Sequence, residues 1–431
     1  MVAIRTWQRK INGKLGENFI DIHPRRHRKR NSKRFTRSDG VLVSNPLLPL
    51  KKGQGNKQSF QSVKRKKSRT SHTFPSNPKI PSLSKFLSIK QNEEFGRHIV
   101  ANIDLKLGQV VSIAKAFATV VNRTTKPYCL TCFEVENVFI SCDRCSNVRF
   151  CSLKCKTDNF THEYECGTNL HCYDFKCDGI EIKCAIQMVL EALATFDGNV
   201  AKLYQFMENL IDKTDGFRLH EYPEHVNDKL SHFRCTMNLQ TSQRDNTLKY
   251  VQNAYDIIME LPKVKNLFSN EYGQTFLLHL LAHNLAILNR NAFMMELENT
   301  IGLMLFNTFS IFNHSCSPNV VHLMRGNTVV GITGRSIQAG EQMCISYKNV
   351  DQMKLNQRKQ ELSAWKFECK CKRCSTRQEI TMSQIRRAER MPLFEIKKKL
   401  NKLEDWSTSR GALMIAYAQH LLENFENGHF I

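Results

Sequence analysis

The sequence predicts an α+β protein whose short strands are interrupted first by a compact metal-binding module and then by a block of helices. Three observations carry this. Eight Cys and His residues stand in regular pairs between Cys129 and Cys166. Apolar runs of strand length flank that region, around residues 99–113 and 320–347. Between the module and the later strands, residues 180–290 repeat apolar side chains at helical spacing.

Residues 1–88 read as a basic, disordered tail. Residues 1–90 hold 23 Lys and Arg against Glu17, Asp21 and Asp39, a net charge of +20, whereas the whole chain of 431 residues carries +23. The rest is nearly neutral. The tail is poor in apolar residues and ends in a stretch spaced by Pro75, Pro78 and Pro81. It carries two clusters, Arg25–Arg30 with Lys33 and Arg34, and Lys64–Lys67 with Arg69. These suit an import receptor or neutralise phosphates; the bland alternative is a solvated tail without a reader. No base-reading motif accompanies the charge, so sequence-specific nucleic-acid binding is not expected. No apolar run reaches membrane-spanning length, and the first thirty residues are charged where a signal peptide would be apolar. A protein that is not exported keeps its sixteen cysteines reduced.

The tail is followed, over residues 89–128, by Ile99, Val100, Ile103 and Leu105, then Val110, Val111 and Ile113. These predict two strands joined around Leu107 and Gly108. Residues 129–166 hold Cys129/Cys132, Cys142/Cys145, Cys151/Cys155 and His162/Cys166. Zinc takes four soft or borderline ligands in a tetrahedron, and a close pair bites one ion from two sides, so four pairs mean two ions. A segment this short and apolar-poor takes its folding energy from the metal. A disulfide scaffold is the alternative, disfavoured by the reducing context. Cys172, Cys177 and Cys184 are irregularly spaced and read as structural.

Residues 167–300 read as a helical linker and insert. Ile186, Met188, Val189, Leu190 and Leu193 recur at helical spacing, as do Phe276, Leu277, Leu280, Leu281, Leu285 and Leu288. His279 and His283 lie one turn apart without the glutamate of a metalloprotease motif, so they read as core or helix-surface histidines. Residues 301–350 return to strands: 320–324 and 328–332 flank Arg325-Gly326-Asn327 as a hairpin, and 343–347 form another strand. After the segment 351–376, residues 377–431 predict a helical hairpin. Leu393, Ile396, Leu400 and Leu403 mark one helix, Leu413, Ala416, Tyr417, Leu421 and Phe425 the other, with Gly411 between.

Three polar strings remain: Asn313-His314-Ser315-Cys316-Ser317-Pro318-Asn319, Gly340-Glu341-Gln342-Met343-Cys344-Ile345-Ser346-Tyr347, and Phe367-Glu368-Cys369-Lys370-Cys371-Lys372-Arg373-Cys374. Each is weak alone. In this order they resemble the SET domain of protein lysine methyltransferases, and the paired Cys/His ligands resemble a MYND finger over its full length. Together, from about residue 93 to 376, the chain resembles the SET-and-MYND family.

That resemblance implies a β-rich SET domain split by a two-zinc finger, a helical insert, a zinc-bound post-SET segment and C-terminal helices. It implies that the first and third ligand pairs share one zinc and the second and fourth the other. Cys369, Cys371 and Cys374 need a fourth ligand, and the family supplies it from the position of Cys316, for three structural zinc ions in all. The cofactor implied is S-adenosylmethionine, held by Asn313 and His314 through amide, imidazole and backbone groups. Phe367 would stack on adenine beside Trp365, and Asn291 would hold the methionine end. Gly96-Arg97-His98 falls on the family's G-x-G turn, with His98 in place of the second glycine. Ala114-Lys115-Ala116-Phe117 likewise departs from the usual glutamate and proline before phenylalanine. Tyr347 is the implied catalytic tyrosine of the lysine channel.

The reading is a protein-lysine N-methyltransferase of histone or non-histone protein. The alternative is a catalytically weak or inactive scaffold that binds partners through its finger; a nucleic-acid-binding zinc protein ranks third. Expected partners are a lysine-bearing protein, proline-containing peptides at the finger, and nucleic acid only through the tail, with no membrane. The expected location is the nucleus, with the cytoplasm as a second compartment.

Overall fold

The computed structural model describes residues 74–123, 127–135, 138–168, 170, 179–212, 229–242, 247–297, 300–377, 379–402 and 407–426. These fall in one compact unit. Both basic clusters of the tail, together with Cys172 and Cys177, lie outside the described residues.

The leading strands are β1 (Leu87–Asn92), β2 (Gly96–Ala101), β3 (Val110–Lys115) and β4 (Ala118–Arg123). The zinc-ligand region contributes β5 (Ile140–Ser141) and β6 (Arg149–Phe150), then helices α1 (Leu153–Thr157) and α2 (His162–Glu165). The helical block comprises α3 (Ile180–Thr195), α4 (Val200–Asp212), α5 (Lys229–Met237), α6 (Thr247–Ile258), α7 (Pro262–Leu267) and α8 (Glu271–Asn291). Strands β7 (Ala292–Leu297), β8 (Thr300–Leu305), β9 (Asn313–His314), β10 (Val320–Arg325), β11 (Thr328–Thr333) and β12 (Gln342–Ile345) follow. The chain then forms α9 (Leu355–Leu362), α10 (Lys372–Ser375), α11 (Met382–Glu389), α12 (Leu393–Lys402) and α13 (Thr408–Glu426).

The strands form small sheets: β1-β2-β12-β9, β10-β11-β3, β4-β8-β7, and the β5-β6 ladder. Because β4 pairs with β8, the chain leaves this sheet for the finger and helices and returns to the same sheet afterwards. The helical block has its own core. Ile186, Met188, Val189 and Leu190 of α3 are fully buried against Leu277, Leu280 and Leu281 of α8. A helix apolar on nearly all sides is an internal one. His279 and His283 are buried in this core, and His283 Nε2 meets the Met237 carbonyl at 3.0 Å.

Several expectations are corrected. The tail does not extend to residue 88: Ile80, Leu83 and Leu87 are buried in the core beneath the first sheet, and β1 begins at Leu87. Their composition reads as tail because three prolines space only a few apolar anchors. The runs at 99–105 and 110–113 do not pair with each other; β2 pairs with β1 and β12, and β3 with β11. The link between them crosses sheets, with Leu105 bridging Ile337 and the Gly108 N–H donating to Thr333 O at 2.9 Å. Strands resume at Ala292, within the range assigned to helix, because β7 pairs along its full length with β8. The strand expected to reach Tyr347 ends at Ile345. The C-terminal segment has three helices rather than a hairpin, and Gly411 lies inside α13, not between helices. The hairpin around Arg325–Asn327 forms as expected, with Arg325 opposite Thr328.

That hairpin seats the finger. Asn327 N–H donates to Cys132 O at 2.9 Å, Asn327 Nδ2 donates to Thr131 O at 3.0 Å, and Arg325 pairs with Glu134. Gly326 has φ +53°, and a Cβ there would collide with the Cys132 carbonyl oxygen. Only glycine tolerates both the left-handed backbone and the close approach.

Candidate active site and metal centres

The twelve predicted metal ligands fall into three tetrads: Cys129, Cys132, Cys151 and Cys155; Cys142, Cys145, His162 and Cys166; and Cys316, Cys369, Cys371 and Cys374. Within each, all ligand atoms lie within 4.8 Å of one another. The interleaving of the first two is the one the resemblance implied. The geometry suits zinc: two sulfurs bound at about 2.3 Å in a tetrahedron stand roughly 3.8 Å apart. Observed separations are 3.6 Å for Cys132–Cys151, 3.8 Å for Cys142–Cys166 and 3.6 Å for Cys374–Cys316. These are far too long for a disulfide, and none of the described cysteines is in one. Hydrogen bonds within the third tetrad, from Cys369 on Cys316 and from Cys316 on Cys371, push Cys316 up and Cys371 down. The sulfurs thus compete for protons, and a divalent cation binding all as thiolates ends that competition.

The second tetrad shows a support that the sequence reading did not extract. His162 turns Nε2 to Cys145 Sγ at 3.4 Å and Nδ1 to the buried Glu165 carboxylate at 3.7 Å. A carboxylate behind a ligating imidazole fixes its orientation. The H-x2-E spacing on one short helix was the available signal.

The third tetrad joins distant segments. Cys316 follows β9, and β9 lies parallel to β12, with Asn313 beside Cys344 and His314 beside Ile345. Asn319 clamps the pair: its Oδ1 accepts from Cys344 N at 2.7 Å and its Nδ2 donates to Gln342 O at 2.8 Å. Tyr347, just past β12, therefore stands against His314. Cys369–Cys374 bring Trp365 and Phe367 to the same place. Ring centroids are 5.3 Å apart for His314–Tyr347, 5.9 Å for His314–Phe367 and 5.5 Å for Tyr347–Trp365. Phe367 keeps 38% of its surface exposed, an aromatic face available to a planar ligand.

Other predicted residues converge here. Asn313 Nδ2 donates to Phe95 O at 2.9 Å, tying β9 to the turn before Gly96, where φ is +60°. His98 is buried; its Nδ1 lies 2.9 Å from Gly96 O and its ring packs edge-on against Phe95. The side chain folds back on its own turn. Asn291 ends α8 and donates to Gln240 O and Ile287 O, both at 2.7 Å. Its neighbour Arg290 and Trp365 exchange hydrogen bonds, Nη2 to Trp365 O at 3.0 Å and Trp365 Nε1 to Arg290 O at 3.1 Å. This reciprocal pair, invisible in sequence, locks the end of α8 to the segment that follows α9. Arg97 lies beside Gly96 and is half-buried.

His314 accepts at Nδ1 from Tyr347 N–H at 3.0 Å and faces Cys316 Sγ with Nε2 at 3.2 Å. Both ring nitrogens are engaged, and the ring packs against Tyr347 and Phe367. Burial lowers this imidazole to about 4, so it is neutral. The Tyr347 hydroxyl donates to Phe312 O at 2.9 Å. Burial pushes the phenol up, so it stays protonated at neutral pH. Its proton is committed to Phe312, and its lone pairs remain to accept one.

The SET domain family profile matches residues 96–348. A SET and MYND domain-containing protein of Dictyostelium discoideum is 24% identical over 329 residues, covering 67% of this chain and 81% of that protein. The potential protein lysine methyltransferase SET6 of Saccharomyces cerevisiae is 31% identical over 120 residues, 28% of this chain and 30% of its own. The histone-lysine N-methyltransferase SMYD3 of Mus musculus is 24% identical over 291 residues, 65% of this chain and 59% of its own. The first is spanned for most of its length, the other two for less than two thirds.

Proposed function

The chain belongs to the SET domain family, and we propose that it is an S-adenosylmethionine-dependent protein-lysine N-methyltransferase with three structural zinc ions. The observation that carries this is the convergence of Tyr347, His314, Trp365 and Phe367 on one cluster beside a metal-binding tetrad. The methyltransferase names of the relatives support it.

S-adenosylmethionine supplies an electrophilic methyl on a sulfonium. Phe367 offers its open face to adenine, with Trp365 beside it. Asn313, the main chain of His314, and the turn at Gly96, Arg97 and His98 hold the polar ends, and Asn291 holds the methionine end. The attacking group is a lysine amine, protonated at neutral pH with a reference pKa near roughly 10.4, so it must lose a proton to water first. Tyr347 is placed to orient the neutral amine: its phenol proton is spent on Phe312, and its free lone pairs accept from the amine N–H. Positioning of this kind supplies much of the acceleration. No general base is required.

The protein substrate is a histone or non-histone protein. The finger takes proline-containing peptides, and the basic tail directs the chain to the nucleus. Titration calorimetry of S-adenosylmethionine into the zinc-loaded full chain tests the enzyme reading. Stoichiometric binding is expected; zinc-replete protein giving no heat would promote the scaffold instead.

A further inference from the structure

Two arginines that are neither predicted ligands nor predicted cofactor contacts are the largest fully buried side chains of the described residues, Arg358 and Arg373, both 0% exposed. Arginine is almost never buried unless paired. Arg358, on α9, donates Nη1 to Met353 O at 2.7 Å and to Glu379 Oε2 at 3.0 Å, and its Nη2 lies 3.9 Å from Cys374 Sγ. Arg373, beside Cys374 on α10, donates Nη1 to Cys316 O at 3.3 Å and Nη2 to Asp351 O at 2.8 Å. The Nε atoms of both are buried and make no hydrogen bond among the described residues.

The counter-charge within this shell is weak. Glu379 pairs with Arg358, and its side chain is 40% exposed. Arg373 donates to main-chain carbonyls, which solvate a cation but do not neutralise it, and the half-buried Asp351 carboxyl beside it is pushed up by desolvation against the pull of Arg373, which makes it a weak counter-charge. Four neutral thiols would leave two fully buried guanidiniums with only the part-exposed Glu379 and the desolvated Asp351 as counter-charges, which is unfavourable. A divalent cation bound by four thiolates is doubly negative overall. Two guanidiniums, one contacting a ligand sulfur and the other the main chain of Cys316, match that charge in number and place.

We propose that Arg358 and Arg373 are the charge-compensating partners of a metal-loaded Cys316–Cys369–Cys371–Cys374 site and set how firmly it keeps its ion. This rests on the zinc reading of that tetrad. The arginines act through the thiolates: they lower the cost of holding four negative sulfurs together in a buried place, and the loaded site in turn makes the arginines tolerable. They are positioning residues, since neither touches substrate.

The test compares full-length wild type with Arg358→Met, Arg373→Met, Arg358→Lys and Arg373→Lys. Zinc content is read by elemental analysis, and release to a chromophoric chelator is followed in time, with Cys369→Ser marking which phase belongs to this tetrad. Wild type is expected to carry three ions. Each Met variant should release the third about 10–100-fold faster, as loss of an outer-shell partner does, while the two finger ions leave at the wild-type rate. The Lys variants should fall between. Met variants that keep the third ion as wild type does, or that melt higher because an unpaired cation has gone, would overturn the proposal. Should the Met variants fail to fold, the Lys variants decide, and loss of the third ion from both despite the retained charge overturns it. Wild type carrying only two ions would overturn the zinc reading itself, a separate and recognisable failure.

Discussion

The backbone N–H of Tyr347 donates to Nδ1 of His314 at 3.0 Å, and this one contact fixes the imidazole with its proton on Nε2. Nε2 then points at Cys316 Sγ, 3.2 Å away. The Cys316 sulfur, a neutral imidazole and Tyr347 are thereby joined in series. The metal tetrad and Tyr347 are consequently parts of one hydrogen-bonded assembly, although Cys316 and Tyr347 reach it from different strands.

Tyr347→Phe keeps the ring that packs on His314 and Trp365 and removes only the hydroxyl. Affinity for S-adenosylmethionine should stay within a few-fold, because the proposed cofactor contacts Phe367, Asn291 and Asn313 are left intact. Methyl transfer should fall by about 100-fold or more, since the hydroxyl acts on the transition state. Steady-state kinetics beside calorimetry checks this. A variant as fast as wild type would remove Tyr347 from the chemistry.

His98 replaces a glycine of the family's turn, and its side chain is folded back onto Gly96 O and Phe95. The turn has adapted around it. His98→Gly should therefore cost about 1 kcal/mol of stability, through lost packing and a freer backbone, with no gain in cofactor affinity. Thermal melts and calorimetry read both; tighter cofactor binding by the glycine variant would show obstruction instead.

Much of the site was legible because metal ligands must recur at short, fixed spacings. Cys129–Cys166 and the Cys369–Cys374 string therefore announced themselves, and the resemblance supplied both the interleaving and Cys316. Gly326-Asn327 between apolar runs announced a hairpin in the same way. What was missed depended on contacts distant in sequence. The pairing of β2 with β12 and of β3 with β11 is set by the crossing at Leu105 and Gly108, not by local pattern. Strand β7, rich in Met and Phe directly after a helix, gave no break to read. The hydrogen bonds of Arg290 with Trp365 and of Tyr347 with Phe312 include main-chain groups that leave no trace in composition. Nothing in the local sequence marks Arg358 and Arg373 as the fully buried side chains they are.

Gly326→Ala tests how the finger is docked. Gly340 has φ +85° with nothing within 4 Å of a built Cβ, whereas at Gly326 a Cβ meets the Cys132 carbonyl oxygen. Gly340→Ala should cost about 1 kcal/mol from backbone strain alone. Gly326→Ala should cost visibly more, with early loss of the first finger tetrad in denaturant. Equal losses from the two variants would contradict the close docking.

The nuclear reading is tested by removing residues 1–73 from a fluorescent fusion. This cut spares Ile80 and Leu83, which belong to the core. The signal should redistribute to the cytoplasm. An unchanged nuclear signal would return both basic clusters to the role of a solvated tail.

The central claim is that the third tetrad assembles the cofactor pocket from distant parts of the chain, whereas the finger does not. The direct measurement is S-adenosylmethionine affinity, with zinc content, for Cys369→Ser and Cys142→Ser in the full-length protein. Cys369→Ser should lose one zinc and its cofactor binding together, because Trp365 and Phe367 come free of Tyr347 and His314. Cys142→Ser should lose a finger zinc and bind the cofactor within a few-fold of wild type. Wild-type affinity in Cys369→Ser with its third zinc gone would contradict the account.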